Sequence, residues 1–273
     1  MLPGESEEIT EAGCRHYNMW MPYYVESIDP RRVNHENGRR ICIRYIDFVH
    51  KLLGQNEAQT LFCLDFQAHP FVHPERKPKV MACLLGAQGA GKTTIPKVSE
   101  SMMGQRHCCN TTMPERLVAN GNWASASKKQ AVINEVPPDR VAAAMDDLKP
   151  LVTDSPLECK SMGKDPTWVP SVIQLWLTSN YLSALSKVIN DKERRYWISY
   201  ATSYWEEYAN SLPPEQTNRF WSELHADLEC DDFLYTLWEF CKRRAYRYAY
   251  GCILTVSFRP LHPFHAVSCR YIG

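Results

Sequence analysis

One segment of the sequence has the residue types and spacing of a phosphate-binding loop. The segment GAQGAGKT, residues 86–93, satisfies the pattern G-x-x-x-x-G-K-[ST], with Lys92 and Thr93 at its end. Glycines let backbone N–H groups wrap around phosphate oxygens, and the helix after such a loop adds positive potential at its N-terminus. Lys92 would reach the terminal phosphates and the Thr93 hydroxyl would bind Mg²⁺. The pattern therefore predicts a site for ATP and Mg²⁺.

The flanking sequence supports this prediction. The apolar run VMACLLG before the loop predicts a buried strand, and TTIPKVSESMMG after it has helical character. Strand, glycine loop and helix follow one another in the order that the motif requires, which argues against a chance glycine-rich turn. The residues predicted to contact the nucleotide are Gly86, Ala87, Gln88, Gly89, Ala90, Gly91, Lys92, Thr93 and Thr94.

A second short apolar run ends in two polar residues. The segment KKQAVINEVPP, residues 128–138, predicts a strand that closes with Asn134 and Glu135. Glu135 is expected to polarise the attacking water, and both residues are expected to join Thr93 near the metal ion. An aspartate is more usual at the Asn134 position, and an uncharged amide predicts weaker metal affinity. The alternative is an exposed glutamate that ends an ordinary strand.

A third apolar run, SVIQLWLTSN, ends at Asn180 and predicts a core strand whose tip presents a side chain to the same site. Asn180 would orient the water or sense the γ-phosphate, although asparagine is also a common turn residue. Further along, NDKERRY supplies Arg194 and Arg195 before another aromatic and β-branched run. An arginine supplied across a subunit boundary would stabilise charge on the γ-phosphate. Taken alone, such arginines are more often surface ion-pair partners.

The elements that must position these residues indicate an α/β fold with a central, mostly parallel sheet. Apolar residues at helical spacing over residues 38–68 predict two helices that separate near Gly54. The aromatic stretch YNMWMPYYVE, residues 17–26, predicts a strand. We divide the chain into a leader and helical lead-in, a nucleotide-binding core, and a C-terminal helical region with a divergent tail. These parts comprise residues 1–75, 76–205 and 206–273.

The composition excludes some classes of protein but does not identify the class to which this one belongs. Lysine plus arginine and aspartate plus glutamate number 31 each, so any nucleic-acid binding must be local. No apolar run approaches the roughly 18 residues of a membrane span, which predicts a soluble, intracellular protein with no membrane partner. The eleven cysteines form no CxxC pairs, and we expect mostly buried, reduced thiols. His69 and His73 lack further residues at metal-ligand spacing.

Taken in order, these segments resemble the motifs of superfamily III helicases, in the branch of viral, phage and plasmid primase-helicases. The resemblance covers about residues 40–205 and rests on GAQGAGKT, VINEVP, LKPLVTDSPLECKSMGKDPTWVPS, QLWLTSN and DKERRY. It implies a RecA-like AAA+ core that assembles as a ring, usually hexameric, and moves along single-stranded DNA at a replication fork. The resemblance also implies that Arg194 and Arg195 face the ATP of the next subunit. The tail GCILTVSFRPLHPFHAVSCRYIG has no counterpart in this resemblance.

The segments LECKS and TWVPS read as short strands around the turn-forming MGKDP, which predicts a hairpin. In the resembled family this hairpin projects into the ring channel, so Lys160 and Lys164 are the expected DNA-binding residues. Lysine contacts to phosphate are independent of base sequence, as a translocating motor requires. A solvated hairpin turn is the alternative for the lysines. For Trp168, burial in the core is the expectation and base stacking the alternative.

Three classes of function remain open at this point. The first is an ATP-dependent DNA helicase or translocase, with any primase or polymerase on a separate chain. The second is a P-loop kinase or metabolic NTPase that uses the same GAQGAGKT loop. The third is a nucleotide-binding replication subunit that hydrolyses ATP weakly, which Asn134 makes conceivable.

Overall fold

A computed structural model of the protein describes residues 8–11, 14–17, 21–118, 127–159, 165, 167–185 and 194–249, and side chains within residues 21–243. Its N-terminal elements are a small hairpin followed by two helices. Strand β1 (Glu8–Glu11) pairs antiparallel with β2 (Cys14–Tyr17). Helix α1 (His35–Leu52) and helix α2 (Glu57–Val72) confirm the two predicted helices.

Local chemistry explains where these two helices begin and separate. The Asn34 side chain accepts a hydrogen bond from the Asn37 amide at 3.1 Å, and Asn56 does the same for the Gln59 amide at 3.1 Å. Each asparagine thereby satisfies one of the amide groups left free at a helix N-terminus. Gly54, with φ of 70°, lies between the helices in a conformation that favours glycine.

A five-stranded, fully parallel sheet forms the centre of the molecule. Its strands are β3 (Met81–Leu85), β4 (Cys108–Thr111), β5 (Gln130–Asn134), β8 (Gln174–Ser179) and β9 (Tyr196–Tyr200). They lie in the order β4-β5-β8-β3-β9. The strand before the phosphate loop is therefore flanked by β8 on one side and β9 on the other. The predicted α/β class with a central parallel sheet is confirmed.

Helices cover both faces of the sheet. The remaining helices are α3 (Thr94–Met103), α4 (Pro138–Thr153), α5 (Tyr204–Asn210), α6 (Pro214–Glu229) and α7 (Asp231–Ala249). One apolar core joins α1, α2, α3 and α7 to one face, and its largest fully buried side chain is Trp176. The second core joins α4 to the other face. Strands that are apolar on both sides are typical of such three-layer folds.

Helices α1 and α7 approach each other closely at Gly38. A Cβ atom at this position would lie 2.3 Å from the Asp232 carbonyl oxygen and 2.2 Å from Thr236 Oγ1. The Asp232 carboxylate also accepts hydrogen bonds from the Asn34 amide and from Asn37, each at 2.8 Å. The N-terminal helical region is thus packed tightly against a helix near the other end of the described chain.

In the aromatic stretch at residues 17–26, the described residues 21–26 do not form the predicted strand. Tyr17 ends β2, whereas Tyr24–Ser27 form a turn of 3₁₀ helix. The Glu26 carboxylate accepts a hydrogen bond from the Tyr23 amide at 2.7 Å, and this turn buries Tyr23 and Val25 in the core. The aromatic composition resembled that of a strand, but the local side-chain hydrogen bond favours the turn.

The predicted hairpin after α4 is present. Strand β6 (Leu157–Cys159) pairs antiparallel with β7 (Thr167–Val169). No helix among the described residues is long and apolar enough to cross a membrane. The cysteines whose side chains the structure describes are free thiols, and the buried ones are Cys42, Cys63, Cys83, Cys108, Cys159 and Cys241.

Candidate nucleotide-binding site

The predicted phosphate loop connects the end of β3 to the start of α3. Gly89 and Gly91 have φ of 81° and 93°, a region that L-residues other than glycine rarely adopt. Space imposes a second requirement, because a Cβ atom at Gly91 would lie 2.8 Å from the Phe48 ring. Gly89 has open space instead. The glycines thus allow the backbone to turn, and Phe48 supports the loop from α1.

The first glycine of the loop is held between both neighbouring strands. The Gly86 amide donates a hydrogen bond to the Ser179 carbonyl at 3.1 Å, and the Ala201 amide donates to the Leu85 carbonyl at 2.7 Å. A Cβ atom at Gly86 would lie 2.7 Å from the Ala201 carbonyl oxygen. The ends of β8, β3 and β9 therefore meet at one edge of the sheet, where ligands bind in open α/β folds.

Lys92 is folded back onto the loop. Its ammonium donates hydrogen bonds to the carbonyls of Gly86 at 3.0 Å and Ala87 at 2.5 Å. It also donates to Asn180 Oδ1 at 3.0 Å. Burial lowers the pKa of Lys92, and the negative charges of Glu135 and Glu206 oppose that decrease. A phosphate that reaches Lys92 would replace these carbonyl contacts with charge-assisted hydrogen bonds.

Asn180 follows β8 and is thereby brought next to the phosphate loop, as its predicted role requires. Strand β8 lies between β3 and β5 in the sheet, so Asn180 stands between the loop and Glu135. The contact of Asn180 with the ammonium of Lys92 joins two residues that are 88 positions apart in the sequence. Proximity of these two side chains is a result of folding that neither segment shows alone.

Glu135 is exposed and has a strained backbone. It adopts φ of 52°, which is uncommon for a residue with a side chain, and its amide donates a hydrogen bond to the Thr178 carbonyl at 2.8 Å. Strain of this kind often occurs at functional sites. The carboxylate is close enough to Lys92 to raise the pKa of its ammonium, against the effect of burial.

Asn134 is engaged by a neighbouring side chain. Its Oδ1 accepts a hydrogen bond from the Thr178 hydroxyl at 2.9 Å. Thr93, at the start of α3, is exposed and its hydroxyl makes no capping hydrogen bond. The hydroxyl of Thr93, the amide of Asn134 and the carboxylate of Glu135 are hard oxygen donors, which fit Mg²⁺ with phosphates and water as further ligands.

Arg194 and Arg195 lie at the opposite edge of the sheet from the phosphate loop. They precede β9, and the Arg195 carbonyl accepts a hydrogen bond from the amide of Met81, the first residue of β3. Five residues of parallel strand separate this edge from the loop, which is roughly 15 Å at 3.3 Å per residue. One arginine side chain cannot cross that distance. The structure therefore does not bring the two arginines to the phosphate loop of the same chain.

The hairpin formed by β6 and β7 corrects the expectation for Trp168. This side chain is 67% exposed and lies across from Glu158, so it is not a core residue. Period-two alternation places it on the side of a two-stranded hairpin that no other described layer covers. Lys160 and Lys164 lie outside the described residues.

Sequence reasoning missed two residues near the loop, Phe48 and Glu206. Phe48 lies on α1, far from any motif, and its packing under Gly91 has no signal in the sequence. Glu206 lies on α5, and its charge acts on Lys92. Helix α5 follows β9 directly, but only the position of β9 beside β3 brings it to the loop.

Comparisons with known sequences find one family that matches part of the chain. Residues 84–195, less than half of the chain, match a family described as Family of unknown function (DUF5906). No curated protein matches the sequence.

Two solved structures show the likeness in three dimensions. The A form apo structure of the NrS-1 C terminal region has a TM-score of 0.64 and 15% identity, over 89% of this chain and 59% of that one. Another apo structure of this region has a TM-score of 0.63 and 15% identity, over 90% and 59%. The chain thus spans about three-fifths of the length of these solved chains. At this identity the likeness establishes the fold, with which a RecA-like core is compatible.

Proposed function

We propose that this protein is an ATP-dependent DNA helicase or translocase of a viral or mobile-element replication system. The observation that carries the proposal is the assembly of Lys92, Asn180 and Glu135 at one edge of a parallel sheet. Lys92 and Asn180 are in hydrogen-bond contact, and Glu135 is within electrostatic reach. These residues have the chemistry needed to hold a triphosphate and to direct water at its terminal phosphate.

The proposed reaction is hydrolysis of the terminal phosphoanhydride bond. Backbone amides of the loop and the Lys92 ammonium hold the phosphates, while Glu135 accepts a proton from the attacking water. Asn180 orients that water or the γ-phosphate. Thr93, with Asn134 and Glu135 nearby, would hold Mg²⁺, which would supply charge neutralisation at the phosphates.

We further propose that the complete site forms between two copies of this chain. Each subunit has its phosphate loop at one edge of the sheet and Arg194 and Arg195 at the other, roughly 15 Å away. Arg194 is exposed, and Lys79 and Lys128 lie on the chain just before β3 and β5 at the same edge. A ring, with six subunits as the family resemblance implies, would place this basic edge against the ATP of the next subunit.

Single-stranded DNA is the proposed substrate of the motor. The exposed Trp168 on the β6–β7 hairpin supports this part, because aromatic side chains stack on bases without sequence preference. Lys160 and Lys164, in the segment that joins the two strands, would add phosphate contacts. Any primase or polymerase activity is assigned to a separate chain.

ATPase activity measured with and without single-stranded DNA tests the proposal. We expect turnover that DNA stimulates, together with an increase in particle mass when nucleotide is added. Turnover that is indifferent to DNA but depends on a small phosphate acceptor would favour the P-loop kinase or metabolic NTPase instead.

One contact favours a second candidate, a replication subunit that binds nucleotide and hydrolyses it weakly. Asn134 carries no charge, and its oxygen already accepts the Thr178 hydroxyl. Both features lower the affinity with which Asn134 would bind Mg²⁺. Tight ATP binding without measurable turnover, with or without DNA, would support this candidate.

A further inference from the structure

Two carboxylates flank Lys92 from opposite sides of the loop. Glu135 follows β5, two strands to one side of β3, whereas Glu206 lies on α5, which follows β9 on the other side. The charges of both act on the Lys92 ammonium. Glu135 has a role in the proposed hydrolysis. The position of Glu206 calls for a separate explanation.

The arrangement of the strands fixes the direction in which a bound triphosphate would run. Asn180 and Glu135, which would act on the terminal phosphate, lie on the β8 and β5 side of the loop. The nucleoside lies at the end of the nucleotide opposite to the terminal phosphate. With its phosphates held in the loop at the end of β3, its sugar and base would extend toward β9 and the helix that follows, α5.

Helix α5 is fixed rigidly at this place. The Trp205 ring stacks on Phe48 with centroids 5.1 Å apart, and its indole N–H donates a hydrogen bond to the Phe48 carbonyl at 3.0 Å. Phe48 in turn supports Gly91 of the loop. Glu206 is therefore one residue from an anchor that connects α5 to the loop, so its position relative to a bound nucleotide is well defined.

Glu206 is half-buried, and within the described part of the chain its carboxylate has no hydrogen bond or salt bridge. Partial burial of a carboxylate without donors costs free energy. Glu207, next to it in the same first helical turn, is exposed and accepts a hydrogen bond from the Ser203 hydroxyl. Both glutamates lie where a negative charge stabilises the N-terminus of the helix, but of the two only Glu206 acts on the pKa of Lys92.

We propose that the Glu206 carboxylate accepts hydrogen bonds from the ribose hydroxyls of a nucleoside triphosphate held by the loop, and so makes the site selective for ribonucleotides. The inference rests on the proposed nucleotide binding. An ionised carboxylate is an acceptor with two oxygens, which suits the two hydroxyls of a ribose. Acidic residues bind ribose hydroxyls in the same way in dinucleotide-binding folds.

Equilibrium binding of ATP, 2′-deoxy-ATP and 3′-deoxy-ATP to the full chain tests this inference without requiring turnover. We expect ATP to bind about tenfold more tightly than at least one deoxy analogue, as for loss of a hydrogen bond to a charged group. Glu206→Ala should weaken binding of ATP more than binding of the deoxy analogues, each of which keeps one hydroxyl, and should bring the ratio of affinities close to one. Glu207→Ala, the matched control, should leave the ratio unchanged.

Each contrary result has a distinct meaning. Equal affinity of the unsubstituted chain for all three nucleotides overturns the inference. So does a Glu206→Ala variant that changes all three affinities by the same factor, since that would show simple repulsion of phosphates or a general structural effect. If the unsubstituted chain binds no nucleotide, the proposed function fails first, and the ribose contact fails with it.

Discussion

Glu135 combines a proposed catalytic role with a backbone conformation that a glutamate rarely adopts. With φ of 52°, it carries a conformational cost of roughly 1 to 2 kcal/mol relative to an ordinary conformation. Glycine would avoid most of that cost, although it also increases the entropy of the unfolded chain. A residue kept here against its backbone preference is expected to be needed for its side chain.

Two substitutions of Glu135 separate these effects. Glu135→Gln should bind ATP but hydrolyse it at least about a hundredfold more slowly, because the proton acceptor is lost. Glu135→Gly should be equally slow, yet its free energy of unfolding should be unchanged or higher by up to about 1 kcal/mol. Single-turnover hydrolysis and thermal unfolding measure the two properties. Normal turnover in either variant would move the catalytic role elsewhere.

Asn134 offers a test of how charge limits metal binding. Asn134→Asp retains an oxygen that can accept the Thr178 hydroxyl and adds a negative charge near Thr93. We expect the Mg²⁺ concentration for half-maximal ATPase activity to fall several-fold. An unchanged Mg²⁺ dependence would show that Asn134 acts as a structural partner of Thr178.

The roles of site residues that belong to a local sequence pattern could be predicted from the sequence. The roles of residues that depend on contacts with distant segments of the chain could not. Lys92 belongs to a contiguous motif, and Asn180 ends a readable apolar run. Glu206 approaches the loop only because β9 lies next to β3. Trp168 was expected in the core because tryptophan usually is buried, but a two-stranded hairpin leaves one face without a covering layer.

Among the secondary-structure elements, α1 and α7 cross so closely at Gly38 that a substitution by alanine should have the opposite effect on stability from the one that helix propensity predicts. Replacing a glycine inside a helix by alanine normally stabilises it by about 1 kcal/mol. At Gly38 the new methyl group would lie 2.3 Å from the Asp232 carbonyl oxygen, so the helices must separate. We expect Gly38→Ala to lower the free energy of unfolding by about 1 to 3 kcal/mol.

Chemical denaturation measures this effect, and Ile43→Ala is the control on the same helix. Ile43 is 56% exposed, so truncating it should change stability by less than about 0.5 kcal/mol. A stabilised Gly38→Ala protein would mean that the two helices are not in close contact in solution.

The order of strands was the part of the fold that the sequence could not supply. Apolar runs predicted the strands β3, β5 and β8 and the two helices α1 and α2, since those signals are local. The insertion of β8 between β3 and β5 depends on contacts between distant segments. The turn at Tyr24–Ser27 was also missed, because a single carboxylate-to-amide hydrogen bond outweighed an aromatic, strand-like composition.

At the scale of the whole molecule, the separation of the arginines from the loop predicts dependence on assembly. A monomer should hydrolyse ATP poorly, because a neighbouring arginine can contribute a factor of about 10³ to 10⁵ in phosphoryl transfer. ATPase activity should therefore increase faster than linearly with protein concentration.

Mixing two inactive variants tests this sharing directly. One carries Arg194→Ala with Arg195→Ala, and the other carries Lys92→Ala. Mixed assemblies contain interfaces in which an intact loop faces intact arginines, so part of the activity should return. If mixed oligomers form and no activity appears, the arginines do not complete a neighbour's site.

The position of β9 has one more consequence for such an assembly. This strand begins at the arginines and ends beside the loop, and hydrogen bonds to β3 along its whole length make it stiff. If the loop moves as a nucleotide enters or leaves, β3 and β9 would move together, and Arg194 and Arg195 would be displaced by a similar amount. The presence or absence of nucleotide in one subunit would then change the position of the arginines at the site of the adjacent subunit. Hydrolysis would therefore proceed from one site to the next in sequence and not at random.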